Sequence, residues 1–313
     1  MKIALLCNVR PADADEAFEE FDSPETIAAI ARALAGLCLD VEPVEADRDL
    51  PAKLATGRYD FAFNIAEGVG RRCREAIPAA VCELMGLPFT GSDAVTLGIT
   101  LDKWLARRVV SPDVPVAAAA LDDDRIEELR FPVIVKPNDE GSSKGIHAGS
   151  LARDAAQARE RSRSLREEYG CPVLVEEFLP GAEITVGVVG NGRGARVLGM
   201  MEIAGEAPFL YSLDVKRDFR RRVRYHVPPR MDTALLASYA LNAYRLLGCR
   251  DIARLDFRQD AAGTPRFLEC NPLPGLNPES SDLVILSRGI LPYEQLVQGI
   301  LREAAVRYGI PLP

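Results

Sequence analysis

The 313-residue sequence has few histidines, no closely spaced cysteine pair and no long apolar run. Because it has only two histidines and no two of its seven cysteines form a CxxC pair, a zinc site is not expected. No run of 18 apolar residues occurs, so no membrane-spanning helix is expected. Basic residues are outnumbered 38 to 46 by acidic ones, and the net charge of −8 argues against a general nucleic-acid binder.

The remaining composition is typical of a globular protein. Hydrophobic residues make up 48% of the chain, enough for a buried core, and the length suggests two or three domains. An odd number of scattered cysteines is typical of small core residues in a reducing compartment, so we expect a cytoplasmic protein. The apolar residues 1–7 turn polar at Asn8, which predicts a first core strand rather than a signal peptide.

The order of predicted strands and helices indicates an α/β fold in three sections. Residues 1–98 alternate strands with helices, which predicts a mostly parallel sheet. Residues 99–180 form a central section, and residues 181–313 contain two strands that are expected to pair antiparallel. The predicted helices are 24–37, 75–85, 101–110, 124–130, 151–169 and 233–247. The predicted strands include 3–9, 39–44, 61–65, a segment near Val114, 132–136, 171–178, 184–189 and 196–203.

Three polar side chains near the end of the chain form a candidate metal site. Asp256 lies on one predicted strand, and Glu269 and Asn271 lie on the next. Oxygen ligands of this kind suit Mg²⁺, which keeps further positions for water and substrate phosphate. Arg254 is two residues before Asp256 and therefore on the same face of its strand. Taken alone, the three residues are equally compatible with ordinary polar strand ends.

A glycine-rich segment, Glu140–Gly145, follows a strand that ends in a lysine, Lys136. A lysine that leaves a strand before such a turn is typical of a polyphosphate cradle. The same segment formally matches GxSxG, with Ser143 as a nucleophile, but no helix is predicted directly after it. It does not match the P-loop pattern, and the other glycine cluster, Gly190–Gly194, is predicted to be a hairpin turn.

Together these motifs resemble the ATP-grasp superfamily, specifically its D-alanine–D-alanine ligase branch. The resemblance covers about residues 100 to 290 and continues more loosely into Pro88–Ser92. It implies an N-terminal domain followed by two ATP-grasp subdomains that enclose ATP. Members of this branch are commonly homodimers, so a homodimer is one expected assembly. The motifs that carry it are Leu101–Lys103, Val135–Pro137, Glu140–Gly145, Val175–Leu179, Gly181–Val186, Ala253–Asp256 and Glu269–Gly275.

The resemblance also implies a nucleotide site. Lys103 and Lys136 would contact the phosphates, Glu183 the ribose, and Lys216 would lie on a lid over the γ-phosphate. The loop residues expected to close over the phosphates are Glu140, Gly141, Ser142 and Ser143. The residues expected at the adenine are Glu176, Glu177, Phe178 and Leu179. Two Mg²⁺ ions, or Mn²⁺ in their place, would be bound by Asp256, Glu269 and Asn271.

The chemistry implied by the resemblance joins two small amino-acid substrates. A substrate carboxylate attacks the γ-phosphate to form an acyl phosphate, and an amine then attacks the activated carbonyl. Arg254 and the Gly275 N–H are candidate oxyanion donors. The catalytic set implied by the family is Arg254, Lys216, Gly275 and Ser143. The implied substrate contacts are Ser280, Arg254 and Glu67.

Two departures from the family pattern concern the substrate. Phe21 falls near the place of the glutamate that holds the donor amino group, with Asp22 or Glu25 as candidate replacements. An acidic loop of the family is replaced by one rich in arginine, and a further arginine follows Lys216. We therefore hypothesise a ligase that accepts an extra carboxylate or phosphate on its substrate. The arginines concerned are Arg71, Arg72, Arg74 and Arg217.

The sequence thus predicts an ATP-dependent carboxylate–amine ligase that is similar to D-alanine–D-alanine ligases. A divergent amino-acid ligase of a biosynthetic pathway is the first alternative. A non-catalytic ATP-binding regulatory protein is a second, although such a protein needs neither Arg254 nor Lys216. A serine hydrolase that uses Ser143 is a third.

Overall fold

The computed structural model describes residues 1–13, 16–122, 124–205, 212, 215, 218–227, 229, 231 and 233–313. The strands are β1 (Lys2–Cys7), β2 (Asp40–Glu45), β3 (Phe61–Asn64), β4 (Ala119–Leu121), β5 (Val133–Pro137), β6 (Leu151–Ala152), β7 (Val173–Glu177), β8 (Glu183–Val189), β9 (Arg196–Ala204), β10 (Arg224–His226), β11 (Ile252–Gln259) and β12 (Pro265–Asn271). The α-helices are α1 (Pro24–Ala35), α2 (Leu50–Gly57), α3 (Ala76–Met85), α4 (Ala94–Leu101), α5 (Lys103–Val110), α6 (Ala155–Tyr169), α7 (Phe219–Arg222), α8 (Ala234–Leu246), α9 (Asp282–Ser287) and α10 (Tyr293–Tyr308). Among the described residues, no helix combines the length and the apolar character needed to span a membrane.

The first sheet is parallel, as predicted, with the strand order β2-β1-β3. β1 lies in its centre and is buried on both faces, which explains its continuous apolar sequence. Ile3 and Leu5 pack in one core cluster with side chains of α1 and α10. Ala4 and Leu6 point to the opposite face and pack with side chains of α2 and α3. Helix α2 was not predicted, because its eight residues bury only two side chains.

The second sheet has the order β4-β7-β5-β6, and its paired strands are antiparallel. Helix α6 covers one face through Ala158 and Leu165. On β5 and β7, Lys136 lies opposite Leu174, and Glu176 lies opposite Ile134. This register makes Lys136 and Glu176 diagonal neighbours on one face, so the lysine before the glycine-rich segment lies beside a carboxylate of the neighbouring strand.

The third sheet is antiparallel in the order β10-β9-β8-β11-β12, which confirms the predicted pairing of the strands now labelled β8 and β9. Its apolar face packs against α5 and α8. On the other face the register places Asp256 opposite Glu269 and Arg254 opposite Asn271. Because paired residues share a face, these four side chains lie together at one end of β11 and β12.

Two predictions for the central section were wrong. The predicted helix at 124–130 is only a 3₁₀ turn at Ile126–Glu128, where Ile126 is the single buried side chain and gives an α-helix no apolar face to bury. The strand expected near Val114 lies later, at β4. Val114 is itself buried, 1% exposed, but it packs in the core from a connecting segment rather than from the sheet.

Predicted helix boundaries shifted where an aspartate begins a helix. The helix predicted at 101–110 starts at Lys103, because Asp102 accepts a hydrogen bond from Leu105 N at 3.0 Å. The helix predicted at 151–169 starts after Asp154, which accepts from Gln157 N at 2.9 Å. The section boundaries after residues 98 and 180 remain a prediction.

The cysteines do not all lie in the core. Cys7, Cys82, Cys249 and Cys270 are buried, as expected of small apolar side chains, but Cys38 and Cys73 are exposed. All seven are free thiols, including the neighbouring Cys249 and Cys270, whose sulfurs are 3.6 Å apart.

Candidate functional site

Two neighbouring cavities lie between the three sheets. The large cavity, of about 430 Å³, is lined by loops of the N-terminal section and by the turn after β12. The small cavity, of about 90 Å³, is lined mainly by β5, β7, β11 and the glycine-rich segment. Lys103, Arg254, Glu269 and Asp282 line both cavities. A group bound in one cavity would therefore meet a group bound in the other at these four side chains.

The candidate metal ligands converge on the face shared by β11 and β12. Asn271 Nδ2 lies 3.2 Å from Asp256 Oδ2 and 3.4 Å from Glu269 Oε1. Thr185 Oγ1 donates to Asp256 Oδ1 at 2.7 Å and fixes that carboxylate from β8. Burial raises the pKa of the Asp256 carboxyl, while the nearby Arg254 opposes this and Glu269 adds to it. A bound divalent cation would offset the cost of charging two neighbouring carboxylates, so the oxygen donors suit Mg²⁺.

Arg254 is held at the junction of the two cavities. Its Nη2 donates to Asp256 Oδ2 at 2.8 Å and lies 3.8 Å from Glu269 Oε1. Its Nη1 lies 3.8 Å from Asp282 Oδ2 at the start of α9. Three carboxylates from different segments thus fix the guanidinium, and they raise its pKa further above its usual range although burial opposes this. Arg254 is therefore a permanent cation beside the candidate metal ligands.

The small cavity contains the predicted phosphate and adenine residues of β5 and β7. Lys136 Nζ lies 2.5 Å from Glu176 Oε1, and Arg107 Nη1 lies 3.4 Å from Glu176 Oε2. The Glu177 side chain points elsewhere and accepts a hydrogen bond from Arg130 N at 2.9 Å. The structure therefore brings Lys136 and Glu176 together, whereas the Glu177 carboxylate is bound to the backbone of Arg130.

An arginine that the sequence analysis did not single out lines the same cavity. The Arg258 guanidinium stacks on the Phe178 ring at 4.9 Å and lies 3.3 Å from Glu183 Oε2. Leu179, 8% exposed, completes the apolar part of this wall. The predicted adenine and ribose residues are therefore close together, with Arg258 between them. Its position on β11, two residues after Asp256, is the signal that could have identified it.

The glycine-rich segment is tied to the N-terminal section by Glu20. Gly141 N donates to Glu20 Oε1 at 2.8 Å, and Lys144 Nζ donates to Glu20 Oε2 at 2.9 Å. Arg74 Nη2 contacts both oxygens of Glu20 at 3.1 Å. A Cβ at position 141 would come within 2.2 Å of Glu20 Oε1, so a larger residue there would displace this carboxylate from its present position. The sequence analysis missed Glu20, although it directly precedes Phe21.

Further contacts hold the same segment over the small cavity. Lys103 Nζ donates to the Glu140 carbonyl at 2.5 Å, and Glu140 forms an ion pair with Lys144. Ser142 and Ser143 both have positive φ, 50° and 61°, which is typical of a tight turn. The next helical element is a 3₁₀ turn at 148–150, so the hydrolase alternative lacks the helix that it needs.

Beyond Asn271, the turn after β12 lines the large cavity. Gly275 lies in this wall, and its N–H has no hydrogen-bond acceptor in the described part of the chain. Ser280 also lines the cavity, and its backbone N–H donates to Asn277 Oδ1 at 3.1 Å. Ser281 lies beside it, and its hydroxyl accepts from Asn277 N at 2.8 Å. The structure thus brings Gly275 and Ser280 to the cavity of Arg254.

The large cavity is also lined by three acids, of which Glu75 is buried and Asp22 and Glu67 are half-buried. Burial raises the pKa of Asp22 to about 7. Burial, with the charge of Glu20 adding to it, raises the pKa of Glu75 to about 7. Burial, with Glu75 and Glu20 adding to it, raises the pKa of Glu67 well above its usual range. Glu67 was predicted to contact substrate, and Asp22 was one of the two candidate replacements. Glu25, the other, is exposed and does not line the cavity.

Replacing Asp22 with asparagine should change how stability depends on pH. Between about pH 4 and about pH 7 the folded protein keeps a proton on Asp22 that an unfolded chain releases. The free energy of unfolding of the native protein therefore falls as pH rises through this window. The Asp22→Asn variant lacks this loss, so its stability relative to the native protein should rise by up to about 1.4 kcal/mol per pH unit.

Urea unfolding at a series of pH values measures this difference. Asp260→Asn is the matched control: although burial opposes it, pairing with Arg266 lowers the pKa of Asp260. The difference in the free energy of unfolding between Asp260→Asn and the native protein should stay constant between about pH 5 and about pH 7. A flat profile for Asp22→Asn would contradict the raised pKa.

The arginines that motivated the acidic-substrate hypothesis contact protein groups instead. Arg71 donates to the Gly170 carbonyl at 3.4 Å, and Arg72 pairs with Asp102 at 2.9 Å. Arg74 pairs with Glu20 and Glu140 at 3.1 and 3.5 Å. None of these three lines either cavity. The hypothesis thus loses its structural basis in this loop. Lys216 and Arg217 lie outside the described residues.

Comparisons with known proteins show the family to which this chain belongs. The family model described as D-ala D-ala ligase C-terminus matches residues 96–302. A D-alanine–D-alanine ligase of Anaeromyxobacter sp. (strain Fw109-5) is 33% identical over 91% of this chain and 92% of its own. A D-alanine–D-alanine ligase of Methylococcus capsulatus is 31% identical over 88% of this chain and 89% of its own.

Solved structures show the same fold. D-alanine–D-alanine ligase from Bacillus anthracis complexed with ATP aligns with a TM-score of 0.75, 19% identity and 99% coverage of both chains. The VanG D-Ala:D-Ser ligase from Enterococcus faecalis aligns with a TM-score of 0.73, 19% identity, and coverage of 97% of this chain and 99% of its own. From its ATP-grasp fold and its match to the family model, this chain belongs to the D-alanine–D-alanine ligase family and is an ATP-dependent ligase of this type.

Proposed function

We propose that this ligase joins two amino acids through an amide bond and produces ADP and phosphate. A carboxylate of the donor attacks the γ-phosphate of ATP, and the resulting acyl phosphate is attacked by the amine of the acceptor. The tetrahedral intermediate then expels phosphate. The observation that carries the proposal is the junction of the two cavities, because a nucleotide in one and amino acids in the other would meet at Arg254.

The small cavity supplies the groups that position ATP. Lys103 and Lys136 are cations in its wall, and both would pair with phosphate oxygens in place of their present carboxyl and carbonyl partners. Phe178 and Leu179 offer apolar contacts to the adenine, while Glu183 would accept from the ribose hydroxyls. The glycine-rich segment, held by Glu20, would cover the phosphates and exclude water.

The junction supplies the groups that stabilise charge. Asp256, Glu269 and Asn271 would hold Mg²⁺, which neutralises charge on the phosphates when it is bound. Arg254 and Gly275 line the same cavity, and the guanidinium and the Gly275 N–H would stabilise the oxyanion that forms on the donor carbonyl. Ser280, at the far side of the turn, would hold the carboxylate of the acceptor.

Formation of ADP from ATP and Mg²⁺ in the presence of pooled amino acids tests the proposal. ADP and a dipeptide of defined mass should appear together. The Asp256→Asn/Glu269→Gln double variant should form no ADP above background, because it lacks both charged ligands while keeping similar side-chain volumes. Tight ATP binding without ADP formation from any pool would contradict ligation and favour a protein that only binds the nucleotide.

A further inference from the structure

We propose that the large cavity selects an amino acid with a second positive charge, a basic side chain in addition to its α-ammonium group, held by Asp22, Glu67 and Glu75. This inference rests on the proposed function, because it assigns the substrate class of the same site. It replaces the expectation of an acidic substrate, whose arginines contact protein groups outside the cavity.

These three carboxylates have no side-chain or backbone partner in the described part of the chain, since none of them accepts a hydrogen bond or forms an ion pair there. Glu75 is only 8% exposed, and all three line the large cavity. Buried carboxylates are normally paired, since an unpaired charge away from bulk water is costly. Because burial raises the pKa of all three, they tend to stay protonated while they have no partner. A cation bound in the cavity would pair with their charged forms and allow them to ionise.

The other described charged groups of the cavity are already paired. Glu19 forms an ion pair with Arg10 at 2.7 Å. Both oxygens of Glu20 are occupied, by Gly141 N and Arg74 on one side and by Lys144 and Arg74 on the other. Of the described cations that line the cavity, Arg10 pairs with Glu19, Lys103 with Glu269 and Arg254 with Asp256. The charges of Arg74, Lys103 and Lys144 favour the ionised form of Glu75, but none of the three forms an ion pair with it.

The number of positive charges on the ligand also matters. The α-ammonium of an ordinary amino acid carries one positive charge and can pair closely with one or two carboxylates. Oxygens of Glu67 and Glu75 lie within 4.8 Å of each other, and the charge of Asp22 also acts on Glu67. A ligand with two positive charges would therefore pair with these acids better than a ligand with one. A divalent metal ion is disfavoured there, because Glu20 has no oxygen left to bind it.

The three acids would discriminate between amino acids by the charge of the side chain. A basic side chain would gain charge-assisted hydrogen bonds in a water-poor cavity, whereas a neutral side chain would leave the carboxylates unpaired. An acidic side chain would add like charge to the same group and should be rejected. Two charge-assisted hydrogen bonds at about 1.5 kcal/mol or more each correspond to a preference of roughly 100-fold.

The test compares substrates one at a time by ADP release and product mass. Lysine, ornithine and 2,3-diaminopropionate are compared with alanine and serine, and with aspartate and glutamate, each in both stereochemical forms. We expect kcat/KM for the best basic amino acid to exceed that for the best neutral one by about 100-fold. Equal or better turnover of alanine or serine would overturn the inference while leaving the proposed function intact. No ADP from any single amino acid or from the pooled amino acids would overturn the proposed function itself.

Glu67→Gln and Glu75→Gln identify the residues responsible. Each should raise KM for the basic substrate about tenfold, with little change in kcat, and should leave KM for alanine unchanged or lower. Glu42→Gln, at an exposed position of β2, is the matched control and should change neither value. Circular dichroism and thermal unfolding of each variant separate a loss of fold from a loss of selectivity. An equal rise in KM for basic and neutral substrates would overturn the assignment.

Discussion

Replacing Arg254 with alanine is expected to lower kcat for ligation by about 10²- to 10³-fold, the usual effect of removing one oxyanion donor. The reason is its position: the guanidinium lines both cavities and is fixed by carboxylates of β11, β12 and α9. Steady-state ADP release with saturating substrates measures the loss. Because the charge develops during reaction, kcat should fall more than the affinity for ATP.

A matched control separates this role from ordinary ion pairing. Arg266 lies on β12 and pairs with Asp260 at 2.8 Å, outside both cavities. Arg266→Ala should keep most of the activity, within about twofold. Arg254→Lys keeps the positive charge but loses the planar guanidinium. Its kcat should therefore lie between those of Arg254→Ala and the native protein. A folded Arg254→Ala protein with near-native kcat would contradict the assigned role.

Replacing Asp251 with alanine is expected to lower the free energy of unfolding by about 3–5 kcal/mol, as for other buried ion pairs that lose one partner. Asp251 is fully buried and joins three distant segments. It pairs with Arg307 Nη2 at 2.7 Å, and it accepts from Gly91 N at 2.8 Å and from Asn191 Nδ2 at 2.9 Å. Its removal leaves the α10 guanidinium without its carboxylate partner.

Urea unfolding followed by circular dichroism measures this loss, because the unfolding midpoint falls in proportion to stability when the slope is unchanged. Glu128→Ala is the control, since Glu128 forms an exposed ion pair with Arg125. This replacement should lower the free energy of unfolding by less than about 1 kcal/mol. Asp251→Ala should leave KM for ATP close to native at low temperature, because Asp251 lines neither cavity. Equal losses in the two variants would show that this network does not hold the segments together.

Much of the nucleotide site could be predicted from the sequence because strand periodicity is local. Arg254 and Asp256 share a face two residues apart, and Glu269 and Asn271 do the same on the next strand. Two such strands in antiparallel register bring all four together whatever the rest of the fold does. The parallel sheet around β1 was predictable for a similar reason, since alternating strands and helices leave few other arrangements.

The contacts between sections could not be read in this way. Glu20 meets Arg74 and Lys144 across 54 and 124 residues, and no local pattern marks such a pairing. The arginine-rich loop led to the expectation of an acidic substrate, because the sequence shows the charge but not its partner. Residues of short or weakly apolar segments, such as α2, were missed for a related reason: packing rather than propensity forms them.

The sequence by itself determined the fold class, the order of the motifs and the strand-borne ligands, because these depend on residue spacing along single elements. Only the tertiary structure decided which charges are neutralised. Arg72 and Arg74 form ion pairs with carboxylates of the protein. Glu67 and Glu75, in contrast, line a cavity and have no partner among the described residues. Since a buried charge is stabilised by whatever lies within a few ångströms of it, its role is set by the contacts of the folded chain.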